Sequence, residues 1–299
     1  MKPQHLLLAL LVAAIWGFGF VPSKVATGEA PPLFVAAVRF ALVAACTAWL
    51  IRVPRGQWRG LVAFSLLMGV GHFAPAYMGL RLGVDSTTAA LIWQLQVPLT
   101  VAIAYLVLHE RLGRRGLAGL AIALAGVAIF LGEPAHQANW LAIGLQFLGV
   151  VFNAVANIQA KRLSHLNPFV INAAMAVIAA PALGLLSVIF ETGQFASLAA
   201  ASWKTPAGIA YLAIISTLVG FGGFYYLLRR YPVGWVSTVV LLVPLTGALS
   251  GVLVMGDRLS WYSALGGAAM LAGVGLIIVR PRAFRGRAAE AGLDGEPRA

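Results

Sequence analysis

VPLTVAIAYLVLHERLGRRGLAGLAIALAGVAIFLGEP, residues 97–134, and VPLTGALSGVLVMGDRLSWYSALGGAAMLAGVGLIIVRP, residues 243–281, are one stretch written twice. Pro98 aligns with Pro244 at an offset of 146, and one inserted residue then makes the offset 147. At that offset Arg111-Leu112 falls on Arg258-Leu259, Gly119 on Gly266, and Leu124-Ala125-Gly126-Val127 on Leu271-Ala272-Gly273-Val274. A repeat at about half the chain length means two copies of one unit.

Composition says what the unit is. The 299 residues are 61% hydrophobic and 10% charged, against roughly 45–50% and about 25% in an ordinary soluble domain. A soluble fold of this size has too little interior to hide that much apolar surface. The bilayer is the solvent that accepts it. The net charge of +12 would suggest nucleic acid in a soluble protein. Here the basic residues sit between apolar runs and read as topology signals, so no nucleic-acid partner is expected. Cys46 is the single cysteine, which excludes an intrachain disulfide. Met1-Lys2 and Leu6–Ala14 imitate a secretory leader, but the apolar run continues to about Ala26 and reads as a retained first span.

A helix crosses the hydrocarbon core with about 20 mostly apolar residues. Ten such segments are present: 6–26, 31–51, 58–80, 86–108, 114–132, 140–160, 168–190, 207–228, 232–255 and 261–279. Turn chemistry marks the joints, as at Pro31-Pro32, Asn167-Pro168 and Gly256-Asp257. Charge placement supports the count. One side of the membrane receives 16 Lys and Arg, the other receives 4, and Arg39 lies inside a span. The positive-inside rule then puts both termini in the cytoplasm.

Five spans per half is an odd number, so the second copy enters the membrane upside down. Inverted repeats are a common architecture of secondary transporters. Exchanging the conformations of two inverted halves turns an outward opening into an inward one. The expected fold is an all-α integral membrane protein of ten transmembrane helices, arranged as two inverted five-helix repeats around a central cavity. Residues 1–136 form the first repeat, 137–280 the second, and 281–299 a basic cytoplasmic tail without fixed structure.

Trp16-Gly17 with Phe20, Pro32 with Arg39-Phe40, Pro98 followed by Glu110-Arg111-Leu112, and Gly119 ahead of Ala125-Gly126-Val127 together resemble the EamA-type drug/metabolite transporter superfamily. The resemblance covers about residues 5–280 and is nearest to the branch of aromatic amino-acid and paraquat exporters. The second copy departs from the pattern, with Asp257-Arg258-Leu259 for Glu-Arg-Leu and Phe152-Asn153 for Trp16-Gly17. The resemblance implies ten helices and export of small metabolites. The expected location is a bacterial inner (plasma) membrane, and a closed bundle of ten helices needs no partner subunit.

Polar groups inside a span need a partner or a wet cavity. Gln146, Asn153, Asn157 and Lys161 fall within about 80° on one face of the sixth span, with Gln159 opposite. This stripe suits either a cavity lining or interhelical hydrogen bonding. Trp93, Gln96 and Thr100 share a face of the fourth span, with Gln94 to one side. His72 and Tyr77 share a side of the third, Tyr225 matches Tyr77 in the eighth, and Ser237 and Thr238 begin the ninth. Trp16 and Ser23 share a face of the first. A chamber of aromatic and amide side chains accepts an amphipathic small molecule without holding it tightly. Arg39, with no acid at its depth, is free to bond backbone carbonyls or to attract a carboxylate substrate.

Gly17, Pro22, Pro75, Pro98, Gly222 and Pro244 are candidate hinges, since proline removes a helical hydrogen bond and kinks the helix. Acidic residues fall at span ends or in the tail, which disfavours a proton relay on a buried carboxylate. His72 is the one alternative for proton linkage. There is no Walker-type loop, no metal-binding helix motif and no nucleophile elbow. No cofactor or metal is expected, and an intramembrane enzyme or a purely structural protein is disfavoured. Exchange of phosphorylated sugars or nucleotide-sugars would want several buried cations for phosphate, of which only Arg39, Lys24 and Lys161 are available.

Overall fold

The computed structural model describes residues 3–51, 53, 56–96, 99–100, 103, 114–131, 139–163, 165–228, 230, 243–257 and 260–278, with some side chains in the helices excepted. Among these residues there is helix and no strand. The helices are α1 (Pro3–Glu29), α2 (Pro32–Leu50), α3 (Trp58–Arg81), α4 (Ser86–Trp93), α5 (Arg114–Leu131), α6 (Trp140–Arg162) and α7 (Pro168–Phe190). They continue with α8 (Lys204–Ala210, Tyr211–Phe221 and Gly222–Leu228 in unbroken succession), α9 (Val243–Ser250 and Gly251–Met255) and α10 (Trp261–Ile278). Among the described residues six helices, α1, α2, α3, α6, α7 and α8, are long and apolar enough to cross a membrane. A short helix, Gln194–Ala200, between α7 and α8 was not expected from the sequence.

The ends of these helices carry turn and cap chemistry. Pro32 and Pro168 open α2 and α7 at positions where a helical N–H has no partner anyway. Asp85 caps α4 by accepting from Thr88 N at 2.7 Å, and Asn167 caps α7 by accepting from Phe169 N at 3.0 Å. Glu191 reaches from the end of α7 to the start of α2, accepting from Leu33 N at 2.8 Å and Phe34 N at 3.0 Å. Glu29 does the same for the chain entering α8, through Ser202 N at 2.9 Å and Thr205 Oγ1 at 2.8 Å.

The outer surface is apolar along the helices and aromatic at their ends. Leu7, Leu117, Leu141, Val188 and Leu253 are exposed. Trp203 and Trp261, at the starts of α8 and α10, are each 76% exposed, and Trp49, Trp58 and Trp140 also sit exposed at helix ends. Tryptophans at that level are the anchors of a bilayer interface.

Inside, helices meet through small residues. A Cβ on Gly126 would lie 2.7 Å from Gly266 O, and one on Gly69 would lie 2.5 Å from the Ala179 Cβ. One on Gly149 would lie 2.8 Å from His72 O. Close approach of this kind replaces the hydrophobic drive that lipid does not supply. Helix α5 packs along α10, α2 along α7, α3 along α6, and α1 along both α9 and α8.

Three helices carry wide π-type segments among the described residues, Ser65–His72 in α3, Tyr211–Phe221 in α8 and Gly251–Met255 in α9. The first ends three residues before Pro75, which has no N–H to return to the carbonyl of Gly71. In the second, Thr217 Oγ1 donates to Leu212 O, five residues back, at 2.8 Å. Such segments recur at functional sites.

Candidate functional site

Arg39 lies seven residues into α2, about 10 Å along a helix rising ~1.5 Å per residue. It is 3% exposed. Its Nη1 donates to Tyr77 Oη at 2.7 Å, and its Nε and Nη2 donate to Thr217 Oγ1 at 3.2 and 2.9 Å. The Phe73 ring faces the guanidinium at 4.5 Å and Phe40 lies at 5.6 Å, both within cation–π range. The partners are a phenol and a hydroxyl, so the expectation of backbone carbonyls is corrected. Arg39 joins α2 to α3 through Tyr77 and to α8 through Thr217.

The Phe73 ring continues the cluster. It meets His72 edge-on at 4.7 Å, and His72 meets Trp93 of α4 at 4.4 Å. Trp93 in turn packs edge-on against Phe20 of α1 at 5.6 Å. Helices α1, α2, α3, α4 and α8 thus converge on one aromatic and polar cluster. His72 is 1% exposed. Its Nδ1 bonds to Gly149 O of α6 at 2.8 Å. Its Nε2 is buried without a hydrogen-bond partner among the described residues, and so are both amide atoms of Asn172 in α7. Buried polar atoms are otherwise almost always paired, so each such atom asks for a reason.

The stripe on α6 resolves into two parts. Gln146 Nε2 donates to Ala76 O at 2.8 Å and joins α6 to α3. Asn157 Nδ2 donates to Asn153 Oδ1 at 3.0 Å and reaches Thr100 Oγ1 at 3.4 Å, while Asn153 Nδ2 lies 3.6 Å from Met68 Sδ. This pair bridges α6, α3 and the chain after α4. Gln159, expected opposite, also turns to α3 and donates to Gly60 O at 3.2 Å.

Other expected site residues fall elsewhere. Trp16 Nε1 donates to Ser216 O at 3.1 Å, and its ring packs on Phe221 and Phe224, so Trp16 fastens α1 to α8. Ser23 Oγ turns back to Gly19 O of its own helix at 2.8 Å. Gln94 is buried and Gln96 half-buried on the chain leaving α4. His72 and Tyr77 both pack edge-on against Phe73, at 4.7 and 5.9 Å, while His72 bonds to α6 and Tyr77 to Arg39 of α2. Ser237, Thr238 and Pro98 lie outside the described residues, as do the side chains of Tyr225, Pro244 and Lys161.

Among the hinge candidates, Gly17 and Gly222 are contact glycines. A Cβ on Gly17 would strike Thr246 and lie 2.7 Å from Gly247 N, and one on Gly222 would lie 3.1 Å from the Phe169 ring. Pro22 follows the one non-helical position in α1, Gly19, and Pro75 follows the π segment of α3.

The sequence reading missed Thr217 and Asn172. Asn172 had a signal, an amide in an otherwise apolar span. Thr217 had none, because threonine is common in membrane helices and its role depends on Arg39, 178 positions away.

Apolar outer helix faces, aromatic helix ends and a buried polar cluster define a multi-pass helical membrane protein. The pattern of the EamA-like transporter family matches residues 4–132 and 140–279. The chain belongs to that family. It is 31% identical over 275 residues to a "Probable amino-acid metabolite efflux pump" of Salmonella typhimurium, covering 89% of this chain and 92% of that protein. A protein of the same name from Escherichia coli K12 is 30% identical, again over 89% and 92%. An "S-adenosylmethionine/S-adenosylhomocysteine transporter" of Chlamydia muridarum is 26% identical over 86% of each chain. A solved crystal structure superposes with a TM-score of 0.66 at 19% identity, covering 93% of this chain and 98% of the other, which shows a shared fold.

Proposed function

We propose that the protein is an alternating-access exporter of small metabolites, most simply amino acids, and not an enzyme. The observation that carries this reading is the cluster of Arg39, Tyr77, Thr217, His72, Trp93 and Phe20, where side chains of five helices meet around polar groups no packing core requires. The names of the relatives from Salmonella typhimurium and Escherichia coli K12 support the substrate class. Asn153, Asn157, Gln94 and Gln96 extend the same lining, and Trp16, Ser23 and Gln146 hold the wall in place. Amide side chains donate and accept, which suits a zwitterion.

The architecture that goes with this is ten spans in two inverted halves, residues 1–136 and 137–280. Reciprocal packing of Gly126 on Gly266 and of Gly273 on Gly119, residues equivalent in the two copies, supports it. So do the paired π segments of α3 and α8. The two halves rock about the cluster, with Pro22, Pro75, Pro98 and Pro244 bounding the moving segments. The protein functions as a monomer in a bacterial inner membrane with both termini in the cytoplasm, as the bias of Lys and Arg between the loops indicates.

Exchange of phosphorylated sugars fits less well. Lys24 already gives its ammonium to Leu80 O at 2.8 Å and Val84 O at 2.6 Å. The test is counterflow in proteoliposomes preloaded with unlabelled amino acids. Labelled amino acid should accumulate transiently. Counterflow of a sugar phosphate with none of any amino acid would replace this reading with the exchanger.

A further inference from the structure

An arginine near the middle of a membrane helix costs about 2.5–3.5 kcal/mol on insertion scales. It persists where it meets a counter-charge or performs a task. Arg39 meets no counter-charge among the described residues, because both of its partners, Tyr77 and Thr217, are neutral. Three of the five N–H donors of a guanidinium are engaged by these bonds, which leaves two without a partner among the described residues. The guanidinium lies over the Phe73 ring at 4.5 Å. A planar fork with spare donors, beside the Phe73 and Phe40 rings, matches a carboxylate in shape and charge.

The geometry points to Arg39 as the carboxylate-binding residue of the transporter, with Tyr77 and Thr217 as the groups that hold it until substrate arrives. This inference rests on the transport reading and sharpens it, because it makes a free carboxylate the feature by which substrates are chosen. A carboxylate on the guanidinium competes with one of the two neutral oxygens. Tyr77 lies in α3 beyond its π segment, and Thr217 lies within the π segment of α8. Displacing either oxygen removes one tie between α2 and one of those helices. Substrate binding is thereby tied to the movement of helices belonging to opposite halves. Amines and quaternary cations make no such exchange and are poor substrates.

The test uses the full chain in proteoliposomes, with labelled L-phenylalanine, phenethylamine, which lacks only the carboxylate, and methyl viologen as probes. Wild-type protein should show counterflow of phenylalanine and little of the other two. Arg39→Gln should lower the phenylalanine rate roughly ten- to hundredfold, the range of a lost charge-assisted hydrogen bond. Arg39→Lys, which keeps the charge without the fork, should fall between. Phenylalanine, unlike phenethylamine, should raise the thermal unfolding temperature of the wild type, a readout that needs no variant. Equal counterflow of phenylalanine and phenethylamine, counterflow of methyl viologen alone, or wild-type rates in Arg39→Gln would overturn this inference and leave transport standing. Silence of the wild type towards every probe and every amino acid of the panel would overturn the transport reading, and this inference with it.

Discussion

Gly126 packs on Gly266 so closely that a Cβ on the first would lie 2.7 Å from the carbonyl oxygen of the second, and Gly273 packs on Gly119 in return. The four glycines are the same two positions of the repeated stretch. Contacts returned residue for residue are what a two-fold relation between copies produces. Alanine at Gly126 or Gly273 must push α5 and α10 apart. Each substitution should cost about 1–3 kcal/mol, the usual range for overpacking. Gly144→Ala and Gly275→Ala should be nearly neutral, since an added Cβ there meets nothing within 4 Å. Thermal unfolding in detergent compares the four. Equal behaviour would mean that α5 and α10 do not approach as described.

Glu191 and Glu29 do capping work across chain-distant helices. Glu191→Ala strips Leu33 N and Phe34 N of their acceptor, and should cost about 1–2 kcal/mol, as lost helix caps do. Glu29→Ala removes the tie to Ser202 and Thr205 and should cost about as much. The two carboxylates share no partner among their hydrogen bonds, so the double variant should show additive losses. A large coupling between them would point to one joined network instead of two separate caps.

How far the sequence reached depends on the helix phase. Span limits were legible because apolar runs and proline joints mark them, and α2, α6 and α7 begin within a residue of expectation. Facing was less legible. Five positions at about 100° per residue set His72 and Tyr77 about 140° apart on α3, so the shared side expected for them does not follow from the count, and the π segment that ends at His72 was not expected either. Nothing in the 3.6-residue pattern announces that segment. The polar stripe on α6 was seen, but a pattern cannot say whether an amide meets a carbonyl, as Gln146 does, or another amide, as Asn157 does. Thr217 shows the limit most plainly, since its meaning lies in a partner on another helix.

Asn153 and Asn157 give a measurable pair. Their amides meet at 3.0 Å one turn apart on α6. Leucine at both positions tests the bond by a double-mutant cycle. The coupling should be about 0.6 kcal/mol, typical of hydrogen bonds between side chains in membrane helices. Each single variant should also slow counterflow, because the reading above gives the pair to the chamber wall. Full transport in Asn157→Leu would move the pair to packing alone.

Energy coupling is the last prediction. Glu29, Asp85 and Glu191 stand at the ends of α1, α4 and α7, with Glu29 and Glu191 bonded across to other helices and Asp85 capping its own. None is placed to carry a proton through the middle of the bundle. His72 is the remaining titratable imidazole in the cluster, and its Nδ1 is committed to Gly149 O. Transport should therefore run down the gradient of the substrate. A pH difference imposed across proteoliposomes should change the rate modestly and produce no uphill accumulation. Glutamine at position 72 can still donate to Gly149 O, so His72→Gln should behave like the wild type in this assay. Uphill accumulation driven by the pH difference and abolished in His72→Gln would overturn the prediction and assign the proton to the imidazole.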